Sequence, residues 1–326
     1  MMRRTNWLPI AFFGVLTAAA SAQVRGPVMG YFPDKGALRT LYGIPAAGWV
    51  GDPIAPDRAL SLIEMSPDQS RALAIAADTG ALMLLTPASG VTTHVNGAAS
   101  GADRIVFSPN GTAAALWFPG SDHIQVVSGW AAPAVRDIDA SFLGGDPAAL
   151  AVSDDGQWVA GAWSSNVYAF GPAGGAAVLP VAGPAEALCF FHGRADVAVI
   201  TASQVVIVSD IGGAVVPNVI YSKAADAPDT TPVQVAVGLT VSFDNRYLAL
   251  AGNLGWLGTF DLTAGSSTGG DCNCRPSGVY GMGGSLFRVT GVNDRALKVY
   301  EASSNDVWFV PLAAPVTASV AAGGQQ

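Results

Sequence analysis

Acidic residues at or near the start of apolar segments are the side chains best suited to chemistry in this sequence. Four of them are the candidate channel or rim residues, Glu64, Asp103, Asp146 and Glu186, and Asp52 has a similar setting. Converging carboxylates hold divalent metals or act as acid and base. Glu64 is the most informative, since "LSLIEMSP" places a charge inside an apolar segment, and a buried charge needs a partner or a role. The alternative is that Glu64 faces outward or is capped.

Other residue types give no catalytic, cofactor or metal site in the sequence. His94, His123 and His192 have no second ligand at the spacing of a metal site. No G-x-S-x-G nucleophile motif is present. Acidic residues recur at the same turn of a repeat, and such recurrence indicates turn chemistry, in which the side chain bonds its own backbone. These residues are Asp68, Asp154, Asp155 and Asp244.

Three cysteines leave an odd thiol in any pairing. Cys272 and Cys274 are separated by one residue, so a bridge between them is expected to be strained. Cys189 lies in the apolar segment "EALCFFHG" and is interpreted as a small buried hydrophobic residue.

The N-terminal segment has the three parts of a secretory signal peptide. Arg3 and Arg4 precede an apolar stretch from Trp7, and Ala20-Ser21-Ala22 forms a cleavage site before Gln23. The stretch is interrupted by Pro9 and is shorter than the ~20 residues that a membrane-spanning helix needs. Residues 1–22 are therefore predicted to be removed, which leaves a periplasmic or secreted protein without a membrane span.

Composition limits the class of partner. The formal net charge is −8, and removal of Arg3 and Arg4 would make it −10. Nucleic-acid binding needs clustered cations, and the sequence has no basic run, so no nucleic-acid partner is predicted. Half of the residues are hydrophobic and 12% are charged, which suits a large folded core.

A repeat organises the rest of the chain. "IVFSPNGTAAALW" at 105–117 and "LAVSDDGQWVAGAW" at 150–163 share an apolar segment, a Ser, a polar turn and a second apolar segment. The equivalent turn recurs every 38 to 51 residues, at Gln69, Gly111, Gly156, Arg194, Asn245 and Gly284. Further short strands follow each hairpin, so each unit reads as four strands, and the period is that of a β-propeller blade.

The predicted fold is therefore an all-β propeller of four-stranded antiparallel blades. Six units are clear, and the hairpin at 28–42 either closes the last unit or begins another, so seven blades are favoured and six are the alternative. The single propeller domain is assigned to 23–315 and a flexible tail to 316–326. "IYSKAADAPDTTPVQ" and "LTAGSSTGGDCNCRPSG" are predicted to be surface loops.

The phrases "SPDQSRALAIA", "SPNGTAAALW", "SDDGQWVAGAW" and "SFDNRYLALAG" resemble the repeats of bacterial WD40-like and YVTN-type β-propellers. The resemblance covers about residues 26–313. The Trp-Asp and Gly-His pairs of eukaryotic WD40 repeats and the YVTN tetrapeptide are absent. The resemblance implies the architecture, whereas activity must be argued from a site.

The sequence supports two hypotheses about function, which belong to different classes of protein. The favoured one is an exported, non-enzymatic scaffold that binds a protein or another component of the cell envelope. The alternative is a periplasmic, lactonase-like hydrolase with a metal in the central channel. The sequence specifies neither the ligand nor the oligomeric state.

Overall fold

The computed structural model describes residues 26–224, 235–289 and 296–311 of the chain. These residues form seven antiparallel sheets, six with four strands and the first with three. The only helical segments among them are two short 3-10 turns, at Pro45–Ala47 and Ser141–Leu143. None of the described segments is a helix with the length and hydrophobicity required to cross a membrane. The prediction of a seven-bladed β-propeller is confirmed.

The blades follow one another along the chain. Within each blade the strands are numbered in chain order, which runs from the channel to the outside of the ring. Blades 1 to 3 contain β1 (Val28–Asp34), β2 (Ala37–Tyr42), β3 (Trp49–Ile54); β4 (Leu60–Met65), β5 (Ala72–Ala76), β6 (Leu82–Leu85), β7 (Thr92–His94); and β8 (Arg104–Phe107), β9 (Ala113–Phe118), β10 (His123–Ser128), β11 (Ala134–Asp139).

Blades 4 and 5 contain β12 (Ala149–Val152), β13 (Val159–Trp163), β14 (Asn166–Phe170), β15 (Ala176–Val178); and β16 (Ala185–Phe190), β17 (Val197–Thr201), β18 (Gln204–Ser209), β19 (Val216–Ser222). Blades 6 and 7 contain β20 (Ala236–Val241), β21 (Tyr247–Gly252), β22 (Trp256–Asp261), β23 (Ser266–Asp271); and β24 (Tyr280–Gly281), β25 (Leu286–Arg288), β26 (Ala296–Glu301), β27 (Asp306–Pro311).

Two parts of the sequence form strands that the sequence analysis did not predict. The hairpin at 28–42 is extended by β3 into a blade of its own. The segment around Ser266–Asp271, predicted to be a surface loop, instead pairs with β22 along its whole length as the outer strand of blade 6. Both strands contain Gly and Asp, which are depleted in strands, so pairing with a neighbour overrides their intrinsic preference.

The hydrophobic core is divided into seven clusters, and each cluster joins two neighbouring blades. Phe32, Leu41 and Val50 of blade 1 pack on Leu297 and Val299 of blade 7 and so close the ring. Central strands such as β5 and β9 are buried at every position, because each of their two faces is covered by an adjacent blade. Among residues 26–224, 235–289 and 296–311, side-chain packing and not an exchange of strands joins the first and last blades.

The alternating strand directions give the ring two distinct faces. The tied face carries the turns between the first and second strands of the blades, at 66–71, 108–112, 153–158, 191–196, 242–246 and 282–285. In the four-stranded blades, the open face carries the turns between second and third strands, and it also carries the connections between blades.

The recurring turn on the tied face is held by a buried serine. Ser153 Oγ donates to Asp155 and accepts a hydrogen bond from the backbone N–H of Trp158 at 2.9 Å. Ser66 with Asp68 and Ser242 with Asp244 repeat the arrangement. Turn chemistry thus accounts for Asp68, Asp155 and Asp244, whereas Asp154 has a different role that is described below.

Two of the sequence assignments, the signal peptide at 1–22 and the tail at 316–326, lie outside the described residues. The domain limits of 23 and 315 also lie outside them and stay predictions.

Candidate functional site

A central channel of about 590 Å³ is lined by the inner strand of every blade. Its size is in the range of cavities that bind small molecules. Four lining residues carry charge, two of each sign: Glu64, Arg104, Glu186 and Arg288. The sequence analysis named the two glutamates and missed the two arginines.

Glu64 lies on β4 and keeps partial exposure to the channel. Burial raises its pKa from 4.5 to about 7, although the positive charge of Arg288 acts in the opposite direction. Desolvation therefore exceeds the attraction to Arg288, so the carboxyl group takes up or releases a proton near neutral pH.

Arg288 enters the channel from a second strand. The inner strand of blade 7 has only two residues, and Arg288 on β25 pairs with the first of them, Tyr280. The guanidinium of Arg288 lies over the ring of Tyr280 at 4.0 Å from its centroid. Arg288 is 7% exposed, and burial lowers its pKa while Tyr280 and Glu64 favour its charged form.

Glu186 and Arg104 are engaged by backbone groups. A carboxylate oxygen of Glu186 accepts a hydrogen bond from the N–H of Ala236 in the next blade. Arg104 donates to the carbonyl of Pro147 at 2.6 Å. Both residues lie at the beginning of their inner strands and so at the open-face end of the channel. Their charges stabilise the connections between blades as well as lining the channel.

Asp103 and Asp146 lie outside the lining of the channel. Both are exposed, and Asp146 accepts a hydrogen bond from the indole N–H of buried Trp117 at 2.8 Å. Asp52 is exposed on β3, the outer strand of blade 1. Of the residues predicted from the sequence, Glu64 and Glu186 line the channel. A role in binding a ligand stays a prediction for all of them.

A network of polar side chains crosses the tied-face mouth of the channel. Asp154 accepts hydrogen bonds from the backbone N–H and side-chain amide of Asn110, at 2.6 and 2.8 Å, and from the N–H of Gly193 at 2.7 Å. Blades 3, 4 and 5 are thereby joined. His192 of blade 5 is 2.6 Å from the side-chain oxygen of Asn110 in blade 3, a contact that spans blade 4.

The hydrogen bonds of Asn110 assign the tautomer of His192. Because the Asn110 amide nitrogen donates to Asp154, its oxygen faces His192 and accepts a hydrogen bond from Nδ1–H. Burial lowers the pKa of His192, with the charge of Asp154 acting in the opposite direction. The imidazole is therefore interpreted as neutral, with a structural role in the mouth of the channel.

The turns of the tied face continue this network around the ring. Asn245 exchanges hydrogen bonds with the backbone of His192, and the N–H of Phe243 donates to the carbonyl of Gly284 at 3.0 Å. Gln69 joins blade 2 to blades 1 and 7, because its side chain accepts from Tyr31 at 2.7 Å and donates to Gly281 at 3.2 Å. This continuity is why we call the face tied.

Substitution of Asp154 by Ala is expected to lower the free energy of unfolding by about 2 kcal/mol, since three donors in two neighbouring blades lose their acceptor. Urea denaturation of the two proteins measures the difference. Asp103→Ala, at an exposed aspartate, is the matched control and should change stability by less than about 0.5 kcal/mol. Equal effects of the two substitutions would contradict the role given to Asp154.

The described residues do not fit the metal centre of the hydrolase alternative. No group of three His, Cys, Asp or Glu side chains among them is arranged to hold a metal ion. The positive charge of Arg288 acts on the ionisation of Glu64, and it would repel a metal cation bound there. The other channel carboxylate, Glu186, already accepts a backbone hydrogen bond.

The cysteines comprise one disulfide and one free thiol. Cys272 and Cys274 form the disulfide, and the strain expected of so short a bridge stays a prediction. Their Cα atoms are 5.1 Å apart, within the range that a disulfide spans. Cys189 is a free thiol that lines the channel, and burial raises its pKa.

The sequence contained signals for the residues that were missed. "SLFRVTG" places Arg288 inside an apolar strand, as "LSLIEMSP" does for Glu64. Asp154 and His192 occupy the second position of the recurring turn, where other blades have Pro67, Pro109 and Phe243. A change of residue type at one position of a repeat indicates a local role that the repeat itself does not require.

No protein-family model matches this sequence, and neither does any curated protein. Among solved structures, the chain is similar to the hydrazine synthase of Kuenenia stuttgartiensis, with 14% identity, a TM-score of 0.51, and coverage of 91% of this chain and 99% of that one. It also matches the β-propeller domain of Cps50 (Swd1) from Myceliophteria thermophila, with 13% identity, a TM-score of 0.48, and coverage of 63% and 67%. At such low identity, the likeness that spans almost the whole of both chains supports the fold alone, that of a β-propeller.

Proposed function

We propose that this protein is an exported, non-catalytic scaffold that binds a protein or another component of the cell envelope through its open face. Export is inferred from the charged, apolar and small-residue parts of the N-terminal sequence, which together are typical of a cleaved signal peptide. A rigid ring that presents connecting loops on one side suits recognition, because loops on a fixed scaffold carry most binding residues.

The open face is favoured by its exposed apolar side chains together with the hydrogen bonding of the tied-face turns to one another, although the tied face also exposes Phe243. Large apolar side chains are exposed on the open face at loop and strand ends, and they include Phe142 at 63% and Leu254 at 66% exposure. Val235, next to the start of β20, is also exposed on this face. The side chains of the tied-face turns are largely committed to one another, as the contacts of Asp154 show. Exposed apolar groups on a soluble scaffold favour interaction with a partner.

The binding test uses the matched apolar residue of the opposite face. Mature protein, its Phe142→Asp/Leu254→Asp double variant and a Phe243→Asp control are immobilised and exposed to a solubilised envelope extract. Phe243 is 60% exposed on the tied face, so the control removes a similar apolar group. We expect one defined component to bind the wild type and the control, and its binding to the double variant to fall at least about tenfold.

The purified component must then bind the wild-type protein directly, with the same order among the variants. Capture of no component, or equal capture by the double variant, would contradict recognition by the open face. Thermal unfolding of each variant checks that the ring is intact.

Export is tested separately by expressing the full chain with its own N-terminus in a bacterial host. The processed protein should begin at Gln23 and appear in the periplasm or the medium. An uncleaved chain that stays in the cytoplasm would contradict this part of the proposal.

A further inference from the structure

Arg288 presents an unpartnered charge to the channel. Its side chain is 93% buried, since its exposure is 7%, and the structure gives its guanidinium no hydrogen bond to another described residue. Its guanidinium lies over the face of the Tyr280 ring, which accepts no hydrogen bond in the plane of the guanidinium. A guanidinium carries five N–H donors, and burial without acceptors is costly unless the cavity supplies them.

Glu64 presents the opposite charge to the same cavity. Neither a hydrogen bond to its carboxylate nor an ion pair with Arg288 occurs within the described part of the chain, although each group affects the ionisation of the other. The two charges therefore attract across a space instead of closing on each other. Tyr280 lies beside both and supplies an apolar ring as one wall.

This arrangement selects a ligand by charge. A simple anion at Arg288 would be repelled by ionised Glu64, and a simple cation at Glu64 would be repelled by Arg288. A molecule that carries both charges satisfies both groups and adds no net charge to a poorly hydrated cavity. The channel volume of about 590 Å³ leaves ample room for such a molecule.

We propose that the channel binds a small zwitterion, an α-amino acid or a short peptide with free termini, whose carboxylate accepts hydrogen bonds from Arg288 and whose ammonium group donates to Glu64. This site lies inside the ring and is separate from the apolar residues of the open face. It therefore stands or fails independently of the scaffold function proposed above.

Saturation-transfer NMR of the wild-type protein with the twenty α-amino acids and diglycine is the first test, followed by calorimetry of the strongest responder. The same ligand is then measured with its amine acetylated and, separately, with its carboxylate converted to an amide. We expect each capped form to bind at least about tenfold more weakly than the free zwitterion. Stronger binding of a free amino acid than of diglycine would identify an amino-acid site, and the reverse order would identify a peptide site.

Variants locate the site. Arg288→Gln and Glu64→Gln should each weaken binding about tenfold or more. Arg246→Gln is the matched control and should leave affinity unchanged, because Arg246 pairs with Asp261 at 2.7 Å on the outside of blade 6. If Arg288→Gln does not fold, Glu64→Gln and the capped ligands still decide the question.

Three results would overturn the proposal: no response from any free amino acid or diglycine, equal affinity for a capped form, or unchanged affinity in both channel variants. Among these, equal affinity for the acetylated form would overturn the zwitterion site in favour of a carboxylate site that does not use Glu64.

Discussion

Replacement of Glu64 by Gln is expected to remove a loss of stability that the wild-type protein undergoes as the pH rises from 4.5 to about 7. The unfolded chain releases this proton near pH 4.5, whereas the folded protein retains it up to about pH 7. Within that window the folded state binds more protons, so the free energy of unfolding falls as the pH increases and then becomes level.

The raised pKa sets the size of the effect. One pKa unit corresponds to about 1.36 kcal/mol, so the window corresponds to at most about 3 kcal/mol, and water in the channel reduces this value. Urea denaturation of wild type and variant at pH 4.5 and pH 8 measures it. The stability of Glu64→Gln relative to wild type should rise between the two pH values.

Other carboxylates titrate in both proteins, so only the difference between them reports on Glu64. A difference that is the same at pH 4.5 and pH 8 would mean that Glu64 is ionised in water-like surroundings, and the channel position given to it would be wrong.

Replacement of Gln69 by Ala is expected to lower the free energy of unfolding by about 3 kcal/mol. Its side chain joins blade 2 to the backbone of blade 1 at Tyr31 and of blade 7 at Gly281. Without Gln69, these two backbone groups lose their partners at the place where the ring closes. Gly30 allows the close approach, because a Cβ there would lie 2.9 Å from the side-chain oxygen of Gln69.

Gln157→Ala is the matched control for this prediction. Gln157 is exposed in the equivalent region of blade 4, and its side chain makes no hydrogen bond within the described part of the chain. Its loss should change stability by less than about 0.5 kcal/mol. Chemical denaturation compares the two variants, and similar values for them would contradict the closure role of Gln69.

The repeat in the sequence predicted the ring because the same physical requirement recurs in each blade. A buried serine, a tight polar turn and two flanking apolar strands recur, as at Ser153, and the core clusters between blades follow from that pattern. The strand Trp49–Ile54 was not predicted, because Gly51, Asp52 and Pro53 are residues that strands usually lack.

The candidate site could be predicted only in part. Glu64 was found because a charge inside an apolar strand is visible in sequence. Arg288 was missed because it reaches the channel from a second strand, past an inner strand of two residues whose length only the pairing of blade 7 reveals. The sequence also does not show that the closure of the ring places Arg288 in the same cavity as Glu64.

A double-mutant cycle of Glu64→Gln and Arg288→Gln at pH 8 tests most directly whether the closed ring brings these two charges into one channel. We predict a coupling free energy of about 1 kcal/mol at pH 8 that is lost at pH 4.5, where Glu64 is largely protonated. The control pair Glu64→Gln and Arg246→Gln should show additive effects. Additive effects of Glu64 and Arg288 at both pH values would contradict the shared channel.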